Sequence, residues 1–449
     1  MILVVRNFRV WKNILTFEEI FSSMEENFAL LAKYNFWNGN VPELGFIRVG
    51  YTDKIFDYIG NRLVKVLVGQ RRAGKSYILR QIAYRLVQDG INPQNIFYIN
   101  KEFTDFDCVK DYHDLEILLK QYKEALKPVG KVWLFIDEIQ NVTGWEHFVN
   151  SYSQNFADNY EIFISGSNSK MLSGELATLL SGRYVNFEIF PFSYQEYIGI
   201  TGKDDHRQSY LDYMESGALP ELFILPNNET RRNYVAAIKD TVLLRDIIQR
   251  NSIKDPKLLE DIFIYLVNNA SNLISITNIL NFFKSKKRKT TYDTISNYIG
   301  YIEDTFLIHK VERYDIRGKE TISGNCKYYI NDLAYKNYLY PGFAYGIGYK
   351  LENLVYLQLR RSGYDVYVGA MRDKEVDFVA MKGDHILYLQ STYLLSDEQT
   401  VRREYAPLEA IQDNYDKYVV SFDEISYPSN KGIKHIQAWK LAVGSIVIK

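Results

Sequence analysis

Cysteine is almost absent: the 449 residues contain two, Cys108 and Cys326, 218 positions apart. That excludes a disulfide framework, and neither sits in a Cys-x-x-Cys or Cys/His ligand spacing. Histidine is nearly as sparse, six residues without H-x-H or H-E-x-x-H spacing, which leaves no metalloprotease pattern. Long hydrophobic runs are missing, for no stretch approaches the roughly 18 uninterrupted apolar residues of a membrane span. The opening MILVVRNFRVWKN holds an apolar run too short for a signal-peptide core, and no cleavage-like site follows. The expectation is a soluble, cytoplasmic chain with no membrane partner. An excess of one charge sign is missing too. Lys+Arg number 54 against 55 Asp+Glu, a formal net charge of -1, so only a local basic face is open to the protein.

What is present is ordinary for a folded chain: 47% hydrophobic and 24% charged residues, which excludes global disorder. The 37 Tyr and 25 Phe supply several cores, and the length suits two or three domains. Residues 1–45 read as a helical lead-in, with apolar and acidic residues at helical spacing over 17–34. From Lys65 the grammar changes. VKVLVG is a buried strand running into glycine, and KSYILRQIAYRLVQDG is an amphipathic helix closed by Gly90 and followed by Pro93. NIFYIN, KVWLFID, YEIFISGS and RYVNFEIF are further strands. Apolar strands separated by helices predict a three-layer α/β domain with a mostly parallel sheet over 46–200. A helical connector is expected over 209–257. Three short helices and a hairpin over 258–320 make a winged-helix-like arrangement. A last α/β segment runs over 325–449.

Gly69-Gln70-Arg71-Arg72-Ala73-Gly74-Lys75-Ser76 fits G-x-x-x-x-G-K-[ST] between a strand and a helix, and Tyr77 follows as a further binding candidate. The glycines let successive N–H groups turn inward on phosphate oxygens, and the helix adds its positive end. Lys75 is placed for the β/γ phosphates of ATP and the Ser76 hydroxyl for Mg2+. A structural glycine turn is the plain alternative. The strand LFIDE delivers Asp137 and Glu138 to the carboxyl edge of the sheet, where open α/β sheets place ligands. Asp137 suits magnesium and Glu138 suits the general base for an attacking water, against a solvated capping pair. After the fourth strand, Asn168, with Ser167 close behind, is the candidate for the γ-phosphate or the water; helix capping is the alternative use of both.

GQRRAGKS, LFIDEIQNVTGWEHFV, ISGSNSKMLSGELATLLSGRYVNFEIFPFSYQEY, SGALPELF and LLRDIIQR fall in order over roughly residues 46–430. This series resembles a family of prokaryotic AAA-type ATPases with a winged-helix segment and a C-terminal nuclease-like domain of unknown function. The resemblance implies ATP and magnesium, with Lys75, Ser76, Asp137 and Glu138 in the roles above. It makes Arg183 the GR-motif arginine, either completing a neighbour's site in a homo-oligomer or forming a surface ion pair. The C-terminal segment resembles the restriction-endonuclease-like fold. Glu352 and Asp377 match two of its metal stations, while Gln390 and Thr392 stand where that fold has an acid and a lysine, so DNA cutting is not expected.

Lys284, Lys286, Lys287, Arg288 and Lys289 put five cations in six residues before the third helix of the winged-helix-like segment. They are candidate phosphate contacts for double-stranded DNA, with a solvated loop as the alternative. The reading is an ATP hydrolase coupled to remodelling of DNA or a protein partner. Its rival is a slow nucleotide-dependent switch with an inert docking domain.

Overall fold

The computed structural model describes residues 28–444 apart from 156, 173–179, 181, 343–345 and 372–373. Most of the expected helical lead-in therefore lies outside the described residues, although 28–34 are helical. The chain divides into two compact units. The first takes residues up to Val68, then Lys75–Gly166 and Met171–Phe187; the second takes Gly69–Gly74, Ser167–Lys170 and Glu188 onward.

The first unit holds β1 (Val64–Val68), β2 (Ile96–Asn100), β3 (Val132–Asp137), β4 (Tyr160–Gly166) and β5 (Tyr184–Glu188), in the spatial order β2-β3-β4-β1-β5. The pairs β2–β3, β3–β4 and β1–β4 are parallel. Every residue of β1 to β4 is buried, which is why these strands read as continuous apolar runs rather than alternating ones. The helix Lys75–Gln88 buries Ile78, Leu79, Ile82 and Leu86 along one stripe. It ends as its sequence dictates. Gly90 adopts φ +95°, its N–H donates to Val87 O, and the Ile91 N–H donates to Leu86 O, so the last carbonyls are capped. Asp111 opens the helix Tyr112–Leu126 in a capping box with Asp114.

The second unit begins with the helices Tyr194–Thr201 and Arg207–Ser216. The Tyr194 ring stands edge-on to Tyr210 at 4.9 Å, and Tyr197 lies 5.4 Å from Tyr213. The stretch expected to close the α/β domain at 200 thus packs through these tyrosines with the residues that follow it. The helix Asn228–Thr241 continues into a π-helix, Val242–Gln249. Three helices come next, Pro256–Asn268, Ile276–Ser285 and Tyr292–Asp304, with β6 (Leu273–Ile274) between the first two. A hairpin of β7 (Ile308–Asp315) and β8 (Glu320–Ile330) follows, and β6 pairs with β8.

After the helix Ile347–Arg361 come β9 (Asp365–Met371), β10 (Lys374–Lys382) and β11 (His385–Ser391). The helix Glu398–Glu409 separates these from β12 (Asp416–Ser421) and β13 (Ile433–Gln437). These strands join the hairpin in one eight-stranded sheet, ordered β13-β12-β11-β10-β9-β7-β8-β6. The gap expected at 320–325 between a winged-helix-like part and the last segment falls inside β8. Leu354, Val355 and Leu357 belong to one core of this unit, and Tyr405 and Leu408 to another. Among the described residues no helix is long and apolar enough to cross a membrane.

Candidate functional site

β1 runs straight into Gly69, and the helix Lys75–Gln88 starts immediately after Gly74. Gly69 has φ +146° and Gly74 φ +99°, with Arg72 between them also positive at +67°. A Cβ on Gly69 would lie 2.3 Å from the carbonyl oxygen of Ile189, so the backbone passes there only without a side chain. Gln70 and Ala73 are fully buried, and the Ala73 N–H turns back onto Gln70 O at 3.3 Å. Tyr77 packs its ring against Gly45 and under Arg80, whose guanidinium lies 4.3 Å from the ring centroid.

The carboxyl edge of the sheet carries a polar row set by strand register. Asn100 pairs with Asp137, and Ile136 pairs with Ile164, which brings Ser165 beside Asp137 one step further on. Asp137 is wholly buried. Its Oδ2 accepts from Tyr98 OH at 3.0 Å and Asn100 Nδ2 at 2.9 Å, and its Oδ1 accepts from the Ser165 hydroxyl. The Ser76 hydroxyl also hydrogen-bonds this carboxylate. Burial, helped by the charge of Glu138, holds the Asp137 carboxyl above the usual range, while the Ser165 and Ser76 hydrogen bonds and Lys75 pull it back.

Glu138 leaves β3 in the left-handed region, φ +53°, an uncommon conformation for a side chain this long. Its surroundings determine it. The Glu138 N–H donates to Ser165 Oγ at 3.0 Å, Gln140 Nε2 donates to Oε2, and Lys75 Nζ stands 3.6 Å from Oε1. Strain held in this way belongs to sites where a group must be aimed. Gly166 makes room for the arrangement, since a Cβ there would meet Gln140 Oε1 at 2.5 Å and Met171 Sδ at 1.8 Å.

The geometry thus brings Lys75, Ser76, Asp137 and Glu138 together and adds four residues that sequence reasoning missed: Tyr98, Asn100, Gln140 and Ser165. Asn168 makes the local bond that was the alternative use. The Asn168 Oδ1 accepts the Lys170 N–H at 2.8 Å, closing the turn after β4. The same turn is tied to the helix Tyr292–Asp304, with Ser169 Oγ donating to Asp304 at 2.8 Å and Lys170 Nζ 3.3 Å from it. The signal for Ser165 was a lone hydroxyl ending the apolar run IFIS. Arg183 donates to Leu180 O at 2.9 Å and to Asn150 Oδ1 at 3.2 Å. The two loop arginines are held by acids. Arg71 grips Asp246 at two points, and Arg72 lies 3.6 Å from Glu221, which also accepts from Tyr234 OH.

Glu352 and Asp377 do meet in the second unit, together with groups that the sequence did not single out. Lys327 Nζ of β8 lies 2.8 Å from Glu352, 2.8 Å from Glu375 and 3.7 Å from Asp377, and Tyr329 OH donates to Glu352 at 2.7 Å. Burial and the Asp377 charge push Glu352 up to about 8, against the pull of Lys327 and Tyr329. Ser391 donates to Asp377 from both N and Oγ, Gln390 lies between the Asp377 N–H and Glu404, and Thr392 is buried.

Of the basic run, Lys284, Arg288 and Lys289 line one cavity of about 720 Å³. Lys286 instead lies over the Phe282 ring, 4.4 Å from its centroid, and Lys287 is exposed in a left-handed turn.

The model of an AAA domain matches residues 61–198, and that of a domain of unknown function matches 207–344. An uncharacterized protein of Haemophilus influenzae is 35% identical over 378 residues, covering 83% of this chain and 92% of the relative. One from Methanocaldococcus jannaschii is 31% identical over 369 residues, covering 78% and 79% respectively. Among solved structures, the Walker-type ATPase of Pyrococcus abyssi is similar at 14% identity and a TM-score of 0.43. That likeness covers 66% of this chain and 98% of the other.

Proposed function

This chain belongs to the family of the uncharacterized Haemophilus influenzae protein and matches an AAA domain over residues 61–198, and from that premise we propose that it hydrolyses ATP with magnesium, coupling the reaction to remodelling of DNA or a protein partner. The observation that carries the reading is the Lys75–Glu138 pair, the lysine of the G-x-x-x-x-G-K-S sequence 3.6 Å from a carboxylate whose backbone is held at φ +53°.

The N–H groups of Gly69–Gly74 receive the phosphate chain, and the Lys75 ammonium moves from Glu138 to the β and γ phosphates. That releases Glu138 to take a proton from the attacking water. Ser165 keeps the base aimed by holding its N–H while steadying Asp137. The Ser76 hydroxyl and the Asp137 carboxylate form an all-oxygen donor set of the kind that a hard divalent cation takes. Ser76 and Asp137 would hold such a cation, and Tyr98, Asn100 and Ser165 orient the Asp137 carboxylate for it. The bound magnesium supplies charge neutralisation at the transferring phosphoryl group.

Arg183 is the candidate to complete a neighbour's site in a homo-oligomer, and in that role it exchanges its bond to Asn150 for a phosphate. The helices over 256–304 and the hairpin β7–β8 fit a winged-helix element, whose partner on this reading is duplex DNA. The last part of the sheet serves as a nuclease-like scaffold without the cutting chemistry.

The test is hydrolysis by Lys75→Ala and Glu138→Gln. The first is expected to lose most ATP binding or turnover with its circular dichroism unchanged. The second is expected to retain ATP and turn over about 100-fold more slowly, the usual worth of a general base. Wild-type rates in both would remove the reading. Turnover per chain should also rise with protein concentration, and mixing Arg183→Ala with Lys75→Ala should restore part of the rate, since each supplies what the other lacks.

A further inference from the structure

The cavity beside the basic run is built from three parts of the second unit: the loop over 251–255, the end of the helix Ile276–Ser285 with the turn after it, and one face of the helix Tyr292–Asp304. Its charge is lopsided for a protein of net charge -1. Lys254, Lys284 and Lys289 line it, and none has a carboxylate partner among the described residues. Arg288 is different. It pairs with Asp261 and stands 3.5 Å from Asp255, so it builds the wall and its charge is already offset. Asp255 is further committed, its Oδ1 accepting the Leu258 N–H at 2.9 Å. Hydroxyls complete the lining. Thr291 and Thr294 share a hydrogen bond of 2.9 Å at the start of the helix, and the buried Oγ1 of Thr290 has no hydrogen-bond partner.

We propose that this cavity is a docking site for the phosphodiester backbone of duplex DNA, with Lys254, Lys284 and Lys289 as its phosphate contacts and Thr290 as a neutral donor. The proposal rests on the reading of DNA as a partner and not on ATP hydrolysis. Three cations without partners around one hollow create a local field that the overall charge does not, and such a field attracts polyanions. The volume, about 720 Å³, exceeds what a single phosphate fills and lies in the range of sites for a nucleotide-sized group. The three lysines are exposed, as are Thr291 and Asn297. A free anion is best enclosed by buried donors, whereas a polymer entering and leaving the site needs open walls. The hydroxyls and the positive end of the helix Tyr292–Asp304 suit phosphate oxygens, which also accept from neutral donors. Base edges are not required, so binding is tolerant of sequence. Tyr298 and Tyr301 add ring surface to the lining against which a sugar can rest.

Fluorescence anisotropy of short labelled duplexes of unrelated sequence, with the full chain in roughly 50 mM salt, tests this. Lys254→Ala with Lys289→Ala should raise Kd by about tenfold or more, equally for all sequences, and lower the slope of log Kd on log salt by about 2, one for each cation removed. Lys286→Ala with Lys287→Ala removes the same charge outside the cavity and should change Kd by no more than about threefold on the same scale. Thr290→Val, which keeps shape and charge, should weaken binding measurably. Equal losses in the two double variants would overturn the cavity while leaving DNA as a partner. No binding by the wild-type chain would overturn both. Displacement of duplex by low inorganic phosphate, but not by chloride of equal ionic strength, would assign the cavity to a free anion and overturn the proposal as well. Thermal unfolding of each variant separates a lost contact from a lost fold.

Discussion

Arg71 and Asp246 are joined by two hydrogen bonds, Nε to Oδ2 at 3.1 Å and Nη2 to Oδ1 at 3.3 Å. Asp246 lies in the π-helix Val242–Gln249 and is buried. Eight residues of π-helix are costly and rare, and such segments gather at functional places. Here the widened turn carries the acid that holds an arginine of the glycine loop.

Removing one partner of a buried pair strands the other charge, at a cost of about 3–5 kcal/mol. Asp246→Ala should therefore weaken binding of a fluorescent ATP analogue, with Arg71→Ala weakening it too. The double variant should be no worse than the poorer single one, a coupling of about 1–3 kcal/mol in a double-mutant cycle. Additive losses would mean that the pair does not act as a unit.

Ser165 serves both members of the acidic pair, giving its hydroxyl proton to Asp137 and accepting the Glu138 N–H. Ser165→Ala leaves a buried N–H and a buried carboxylate oxygen short of a partner, about 1–3 kcal/mol in each case. The expected outcome is a fall in kcat of about tenfold or more with KM for ATP changed little, because the phosphate cradle is intact. Ser165→Thr should recover part of the rate by restoring the hydroxyl. A change confined to KM would place Ser165 in binding instead.

Asp332 is wholly buried and pushed up to about 6 by that burial, against the N–H groups of Ala334 and Ala218 that favour its charge. Its folded pKa lies above the unfolded one, so the folded state holds the proton more tightly. The stability this contributes is complete below about pH 4 and is lost as pH rises through about 6, roughly 3 kcal/mol for two pKa units. The denaturant midpoint of the wild type relative to Asp332→Asn should fall between about pH 4 and 6 and then level off. A flat difference would remove Asp332 as the cause.

Lys327 occupies the space between Glu352, Glu375 and Asp377 with its ammonium, where two of these carboxylates would otherwise face a cation. Purified protein should leave linear, circular and single-stranded DNA uncut with magnesium or manganese, with or without ATP. Manganese titration followed by electron paramagnetic resonance should detect no ion sensitive to Asp377→Asn in the wild type. Lys327→Met should bind manganese there, the Glu352 and Asp377 carboxylates being released. Cutting abolished by Glu352→Ala would overturn the inert reading.

The legible parts of the site were those contiguous in the chain. Gly69 to Ser76 and Asp137-Glu138 carry their chemistry within a few residues, and a strand beside each fixes where it points. Ser165 and Asn100 were hidden because their importance lies in register: Asn100 opposite Asp137, Ser165 one step beyond Ile164. No local pattern states which strand lies beside which. For Asn168 the local sequence left two uses open, a phosphate or water contact and a local bond, because a short amide after a strand closes turns readily, as its Oδ1 does with the Lys170 N–H. Lys327 reaches its acids from a hairpin 25 residues away from Glu352, a distance at which no spacing rule operates.

The sheet that joins β7 directly to β9 bears on how this protein can be divided and inherited. A shortened chain ending after the hairpin would expose the edge of β7 that β9 covers, and one starting near 325 would begin partway along β8. Open edges of that kind pair with other chains. Recombination between relatives would therefore have to exchange everything from about Pro256 to β13 as one cassette. Neither the hairpin nor the part from β9 onward is free to travel alone, and each must have changed under constraint from the other.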